Sequence, residues 1–184
     1  MVGQIAANAN AALFVGSTAY LDTDTGDLPA ATLIAVAGRG ASPADSAFII
    51  STFAAGFEAG ASLYLNTTNG ANTATGNSQR TGNGALGATV NNDPTGFQAY
   101  ASRYDATRQA MDDLTTGLKA SNVGTFRRGF APGTFRIGST YLDNVTTTSL
   151  MSFAAIYDRY LSDAEPATFY ARLKAFPASK ELAI

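Results

Sequence analysis

The chain contains no cysteine, no histidine and no tryptophan. Those absences exclude disulfides, zinc sites built on thiolate or imidazole, thiolate nucleophiles and any Ser-His-Asp triad. A domain of 184 residues buries enough core to fold without disulfide staples, so the missing cysteines leave the redox compartment open. Charge is scarce as well: only 14% of residues are charged, 12 basic against 14 acidic, for a net charge of -2. So little positive charge argues against a nucleic-acid partner, because counterion release from a phosphate backbone needs a basic stripe. No run approaches the roughly 20 continuous apolar residues of a membrane-spanning helix. The first residues carry Gln4, Asn8 and Asn10 and no basic start, a pattern that predicts neither a signal peptide nor membrane insertion.

What the chain does have is a series of short apolar runs broken by Gly, Asn, Asp and Pro. Residues 12–20 (ALFVGSTAY) and 31–37 (ATLIAVA) read as strands, separated by a turn-rich stretch over 22–27 and by Pro29. Residues 47–54 and 61–65 read as a strand pair joined through Gly56 and Gly60. In the second of these, Leu63 and Leu65 alternate with Ser62 and Tyr64, as in a half-buried strand. Residues 66–87 are Asn, Thr, Gly and Ser with almost nothing large enough to bury. Side chains this small predict a surface loop. The Thr content and the Asn-Gly pairs also suit a hairpin, with 71–77 returning through 78–84. A connection this long in a compact domain binds something or is held by a neighbour, which makes Asn69, Asn77 and Arg80 candidate interface residues.

Downstream, 97–104 is a candidate strand, 108–118 suits either a short helix or a strand and turn, and 124–129 with 134–137 suggest two edge-like strands. The strongest strand signal is 149–157 (SLMSFAAIY). A helix follows, opened by Ser162 or Asp163 and running to about Lys174, with Phe169 and Leu173 on one side. Ser162 and Glu165 have capping-box spacing, while a cap at Asp163 places Pro166 one position nearer the helix start. The segments VGSTAYLD (15–22) and IGSTYLD (137–143) echo each other. Two neighbouring strand-to-loop corners in one sheet, or chance, account for the echo. Many short strands with a single terminal helix predict an all-β fold, an antiparallel β-sandwich or jelly roll. The expected organisation is an arm over 1–11, a sandwich over 12–176 with a polar loop or hairpin at 66–87, and a tail over 177–184.

Residues 133–138 (GTFRIG), 153–165 (FAAIYDRYLSDAE) and Phe169-Tyr170 together resemble the closing pattern of the concanavalin A-like lectin/glucanase superfamily, in its laminin G-like branch. Ile137-Gly138 matches one strand end, 156–159 (IYDR) the next, and 161–165 (LSDAE) the start of a short helix beneath the sandwich. The resemblance implies that sandwich fold over about residues 10–176. The glucanase activity of that superfamily uses a Glu-x-Asp-x-Glu pattern, which this chain lacks. Its only glutamates are Glu58, Glu165 and Glu181, and retaining hydrolysis needs two carboxyls about 5 Å apart. The sequence therefore predicts a protein that is not an enzyme.

Two residue groups invite functional readings. Asp22, Asp24 and Asp27 place oxygens around a turn, suited to calcium or to an ordinary Asx-rich turn, while Leu33 stands where an EF-hand loop needs its last acid. Arg127, Arg128 and Arg136 lie among Phe126, Phe130 and Phe135. Such arginines stack on aromatic rings or pair with carboxylates of a neighbouring subunit, so together with Phe14 they are candidate interface residues. No other cofactor is expected. These features suggest a structural component of a bacteriophage virion, a capsid decoration protein working through self-association and contacts with other particle proteins. The alternative is a lectin-like, extracellular carbohydrate-binding module; a divergent enzyme of the glucanase fold ranks third.

Overall fold

The computed structural model describes residues 6–7, 11–40, 46–54, 59–68, 71–80, 84–91, 96–124, 128–142 and 145–175. Among them are thirteen strands and one helix. The first six strands are β1 (Ala6–Ala7), β2 (Ala12–Val15), β3 (Leu21–Gly26), β4 (Ala31–Arg39), β5 (Ala47–Ser51) and β6 (Ala61–Thr68). Then come β7 (Ala71–Arg80), β8 (Gly84–Asn91), β9 (Gln98–Tyr104), β10 (Arg108–Asp113), β11 (Lys119–Val123), β12 (Thr134–Ile137) and β13 (Thr148–Tyr157), and the helix α1 (Ala164–Ala175) closes the order. The strands form a seven-stranded sheet in the order β1-β2-β13-β4-β9-β10-β11 and a six-stranded sheet in the order β3-β12-β5-β6-β7-β8. Every strand pairing is antiparallel.

Strand β4 shows why its sequence is an almost unbroken apolar run. Leu33, Ala35 and Ala37 face the core between the sheets, joined by Ile49, Ile50, Leu63, Leu65, Tyr100, Met111 and Phe135. Ile34 faces the other way and packs with Ala101 and Leu161 under Phe153, Tyr157 and Phe169. Helix α1 thus covers part of the outer face of the seven-stranded sheet, and a strand covered on both faces has no polar alternation to show. Each fully buried large side chain of the core contributes about 1.5–3 kcal/mol.

The polar stretch 66–87 is not a surface loop. Its described residues continue β6, form all of β7 and enter β8, and Thr73, Ala74, Thr75, Ser78 and Leu86 are buried there. The small side chains are what the packing requires. A Cβ on Gly76 would stand 2.4 Å from Ser102 Oγ and 2.6 Å from Gln109 Nε2 on the facing sheet. Residues 108–118 form a strand and turn, not a helix. Strand β12 does not lie at an edge: it sits between β3 and β5.

The sequence echo marks two corners, but not in one sheet. The first copy links β2 of the seven-stranded sheet to β3 of the six-stranded sheet, and the second leads from β12 of the six-stranded sheet towards β13 of the seven-stranded one. Since β2 pairs with β13 and β3 with β12, the two sheet-switching units lie against each other. Each turns on a glycine with positive φ, Gly16 at 33° and Gly138 at 82°. A Cβ on Gly138 would meet the Phe14 ring at 2.3 Å.

Candidate functional site

Alternation along β9 sends Tyr100 and Tyr104 into the core and turns Ala101 and Arg103 to the outer face. On β10 the same face carries Arg108, Ala110 and Asp112, and on β11 it carries Lys119, Ser121 and Val123, in the register Arg108↔Val123, Ala110↔Ser121 and Asp112↔Lys119. The chain leaving β13 passes over this surface through Tyr160 and Asp163 before entering α1. Together these residues enclose an open recess of about 310 Å³. A shallower hollow of about 430 Å³ adjoins it, lined by Arg108, Arg159, Tyr160, Ser162, Asp163 and Glu165.

Arg103 is the post on which the recess is built. Its side chain is 2% exposed, and burying a guanidinium is tolerable only when its donors find acceptors. Nη1 donates to the Leu161 carbonyl at 2.9 Å and to Asp163 Oδ1 at 2.7 Å. Nη2 lies 2.8 Å from Asp112 Oδ2. One side chain therefore ties β9, β10 and the helix approach together. The Tyr160 ring centre is 5.0 Å from the Arg103 guanidinium and 3.7 Å from that of Arg108. Arg108 is held in turn by Asp105, whose Oδ2 accepts from its Nε at 2.6 Å.

The helix start follows the capping-box expectation in part. Glu165 reaches back to accept from the Ser162 amide at 2.8 Å, and the Ser162 hydroxyl donates to the same oxygen. Arg159 grips the carboxylate through both terminal nitrogens, at 3.1 and 2.6 Å.

Titration behaviour follows this wiring. Burial pushes the Asp112 carboxyl up, against the charge of Arg103. The hydrogen bond from Arg103 pulls Asp163 down. The bonds from Arg159 and Ser162 hold Glu165 at about 2. Burial raises the Tyr160 phenol, so it stays neutral and polar at ordinary pH. One raised and one lowered carboxyl on a single arginine is the pattern of an acid/base pair. However, the Asp112 side chain is 2% exposed and sits against Arg103, which leaves Asp163 as the open carboxylate of the two.

The residues singled out from sequence go elsewhere. Arg128 is buried in an ion pair with Asp27, donates to the Leu28 carbonyl at 2.6 Å and lies over the Tyr104 and Phe130 rings. Arg136 pairs with Asp22 at 3.0 Å and sits over Tyr20 and Tyr141 at 4.3 and 3.7 Å. The candidate calcium ligands and the candidate interface arginines thus pair with each other. Asp24 is exposed on β3, and among the described residues no three acidic side chains gather as a metal site would require. Phe14 is buried in the core at 3% exposure, and Asn77 is half-buried on β7 with a buried Oδ1. Arg80 ends β7, opposite Gly84. Asn69 and Arg127 lie outside the described residues.

Sequence reasoning did not reach Arg103, Arg108, Lys119 or Asp163. Tyr160 and Asp163 fall inside the stretch that carries the family resemblance, where they read as part of a helix approach. Arg103 gave the one available signal, a charge in an apolar strand on the same face as Ala101.

No family model matches the chain, and no curated protein matches it in sequence. Solved structures do match in shape. One is the botulinum neurotoxin serotype G binding domain, at a TM-score of 0.71 and 9% identity. Another is the binding domain of botulinum neurotoxin DC in complex with SialylT, at 0.68 and 9%. Each superposition covers 95% of this chain and 46% of the other, so the chain spans about half the length of the solved chains it matches. At such identity the likeness speaks for the fold alone, an all-β antiparallel sandwich of the jelly-roll kind with one short C-terminal helix.

Proposed function

We propose that the chain is a non-enzymatic recognition module that binds carbohydrate in the recess around Tyr160. The observation that carries this reading is the fixed polar array there: Arg103, Arg108, Arg159, Asp163 and Glu165 are held by ion pairs around one half-buried tyrosine, in an open recess on a sheet face. Sugar hydroxyls are recognised by such pre-positioned planar donors and acceptors, because little side-chain freedom is lost on binding. The seclusion of Asp112 and the engagement of Glu165 by Arg159 and Ser162 support binding without hydrolysis. The shape match to toxin binding domains, one of them in a complex with SialylT, favours a lectin-like role over a purely structural one. The test is retention of the purified chain on an array of immobilised glycans. We expect a defined subset to be bound, and binding to be lost in Tyr160→Ala with the circular dichroism spectrum unchanged. Absence of any retained glycan at high micromolar protein refutes the reading.

A second reading, a structural protein on the surface of a phage particle, draws on the edge strand β11. It has β10 as its only strand partner among the described residues, and Val123 at its end and Leu118 just before it are 73% and 47% exposed. Unpaired edges with apolar side chains favour protein contacts. Gradient sedimentation from the native source tests it. Co-migration with a megadalton particle at fixed stoichiometry supports assembly, and a small soluble species rules it out.

A further inference from the structure

The recess around Tyr160 holds two cations whose donors its carboxylates do not exhaust. Its lining holds three cations, Arg103, Arg108 and Lys119, against two carboxylates, Asp112 and Asp163. Arg103 engages both of those carboxylates. Arg108 gives only its Nε to Asp105, and no described residue accepts a hydrogen bond from its two terminal nitrogens. Lys119 is exposed on β11, and no described carboxylate lies within ion-pair distance of it.

The geometry of these free groups is specific. The Arg108 guanidinium lies 3.7 Å from the Tyr160 ring centre, and a guanidinium held against a ring keeps its plane while its fork edge stays available. A fork with both terminal nitrogens free matches a carboxylate through two parallel hydrogen bonds. Lys119 enters the same recess from the neighbouring strand as a mobile point charge. Asp163 gives one oxygen to Arg103 and is 79% exposed, which leaves its other oxygen as an acceptor for a hydroxyl. Ser121 lines the recess from β11, two residues beyond Lys119 on the same face.

We infer that the recess selects an acidic saccharide, whose carboxylate is gripped by the Arg108 fork and Lys119 while neighbouring hydroxyls meet Asp163 and Ser121. The inference rests on the carbohydrate reading above and names the class of sugar. The experiment compares carboxylated glycans on the array with their carboxyl-reduced counterparts and with O-sulfated oligosaccharides that carry no carboxylate, using the unaltered chain, Lys119→Gln and Arg108→Gln. Hydrogen bonds to charged groups imply about tenfold weaker binding of the reduced glycans and of Arg108→Gln. Lys119→Gln should weaken the acidic glycans about two- to fivefold and leave the reduced ones unchanged. Raising salt should weaken the acidic glycans and leave their carboxyl-reduced counterparts unchanged. Equal binding of the acidic and reduced forms, indifference to Lys119→Gln, or preference for the sulfated sugars over the carboxylated ones each overturns the inference while the carbohydrate reading stands. No binding of any glycan brings down both.

Discussion

Replacing Arg103 by Met tests the central claim about the site, that a buried arginine organises it. The substitution keeps most of the side-chain volume and removes the charge. Asp112, with its side chain 2% exposed, is then a buried carboxylate with no ion-pair partner, offset only by the more distant charge of Lys119 across the β10–β11 pair. Breaking a buried ion pair from one side costs about 3–5 kcal/mol, out of the 5–15 kcal/mol by which a domain of this kind is typically stable. Removing both partners as Arg103→Met with Asp112→Leu leaves no uncompensated charge, and should recover at least about 2 kcal/mol relative to the sum of the single changes. Urea unfolding followed by circular dichroism measures all corners of the cycle; with no tryptophan and 8 tyrosines in the chain, tyrosine emission is the second probe. The single variant also has a pH signature. Its unpaired Asp112 holds a proton in the folded state at pH values where the unfolded chain has released it, so stability falls as pH rises through that interval. The deficit of Arg103→Met should be greatest at neutral pH and shrink towards about pH 4, near the unfolded carboxylate range. Additive single variants, each costing under about 1 kcal/mol and insensitive to pH, would refute the reasoning.

The other predictions concern the scaffold. Gly138→Ala forces a side chain into positive φ and against the Phe14 ring, so it should cost at least about 2 kcal/mol, visible as a lower thermal midpoint. Phe135→Ala, at a position with no exposure, should cost about 3–5 kcal/mol in urea titrations. Glu165 is held at about 2 in the folded chain, below its unfolded value near 4.3. Its support of the helix start is therefore present above the unfolded value and lost as pH falls towards 2. The stability gap between the unaltered chain and Glu165→Gln should close over that range in acid titrations of the unfolding midpoint.

Much of the sandwich is legible in the sequence because strands covered on one face alternate and a strand covered on both faces, such as β4, runs apolar. The helix start is legible for a different reason: the link from Ser162 to Glu165 is local and needs no tertiary partner. The hairpin of β7 and β8 is harder to see, since its Thr, Asn and Gly residues lower the apparent drive to fold. Those residues are small because Gly76 lies against Ser102 and Gln109 of the facing sheet, a constraint set by a distant strand. The recess is hidden in the same way. Arg103, Lys119 and Asp163 are separated in sequence and meet only because β9, β10 and β11 lie side by side and the chain returns over them at Tyr160.

The interlocked corners have a consequence for synthesis. Strand β2 has β13 as a neighbour, β3 has β12, and the central strand β4 is flanked by β13 on one side, so the two ends of the chain supply each other's pairing partners. A ribosome delivers them far apart in time. While β13 is still being made, β4 presents an unpaired apolar edge and β2 lacks its partner on that side, and until β12 emerges β3 has no strand to pair with. Contacts this distant in sequence slow folding and leave hydrophobic edges exposed meanwhile. The sandwich can therefore close only after most of the chain has emerged, and chains that stall before residue 148 should depend on chaperones to stay out of aggregates.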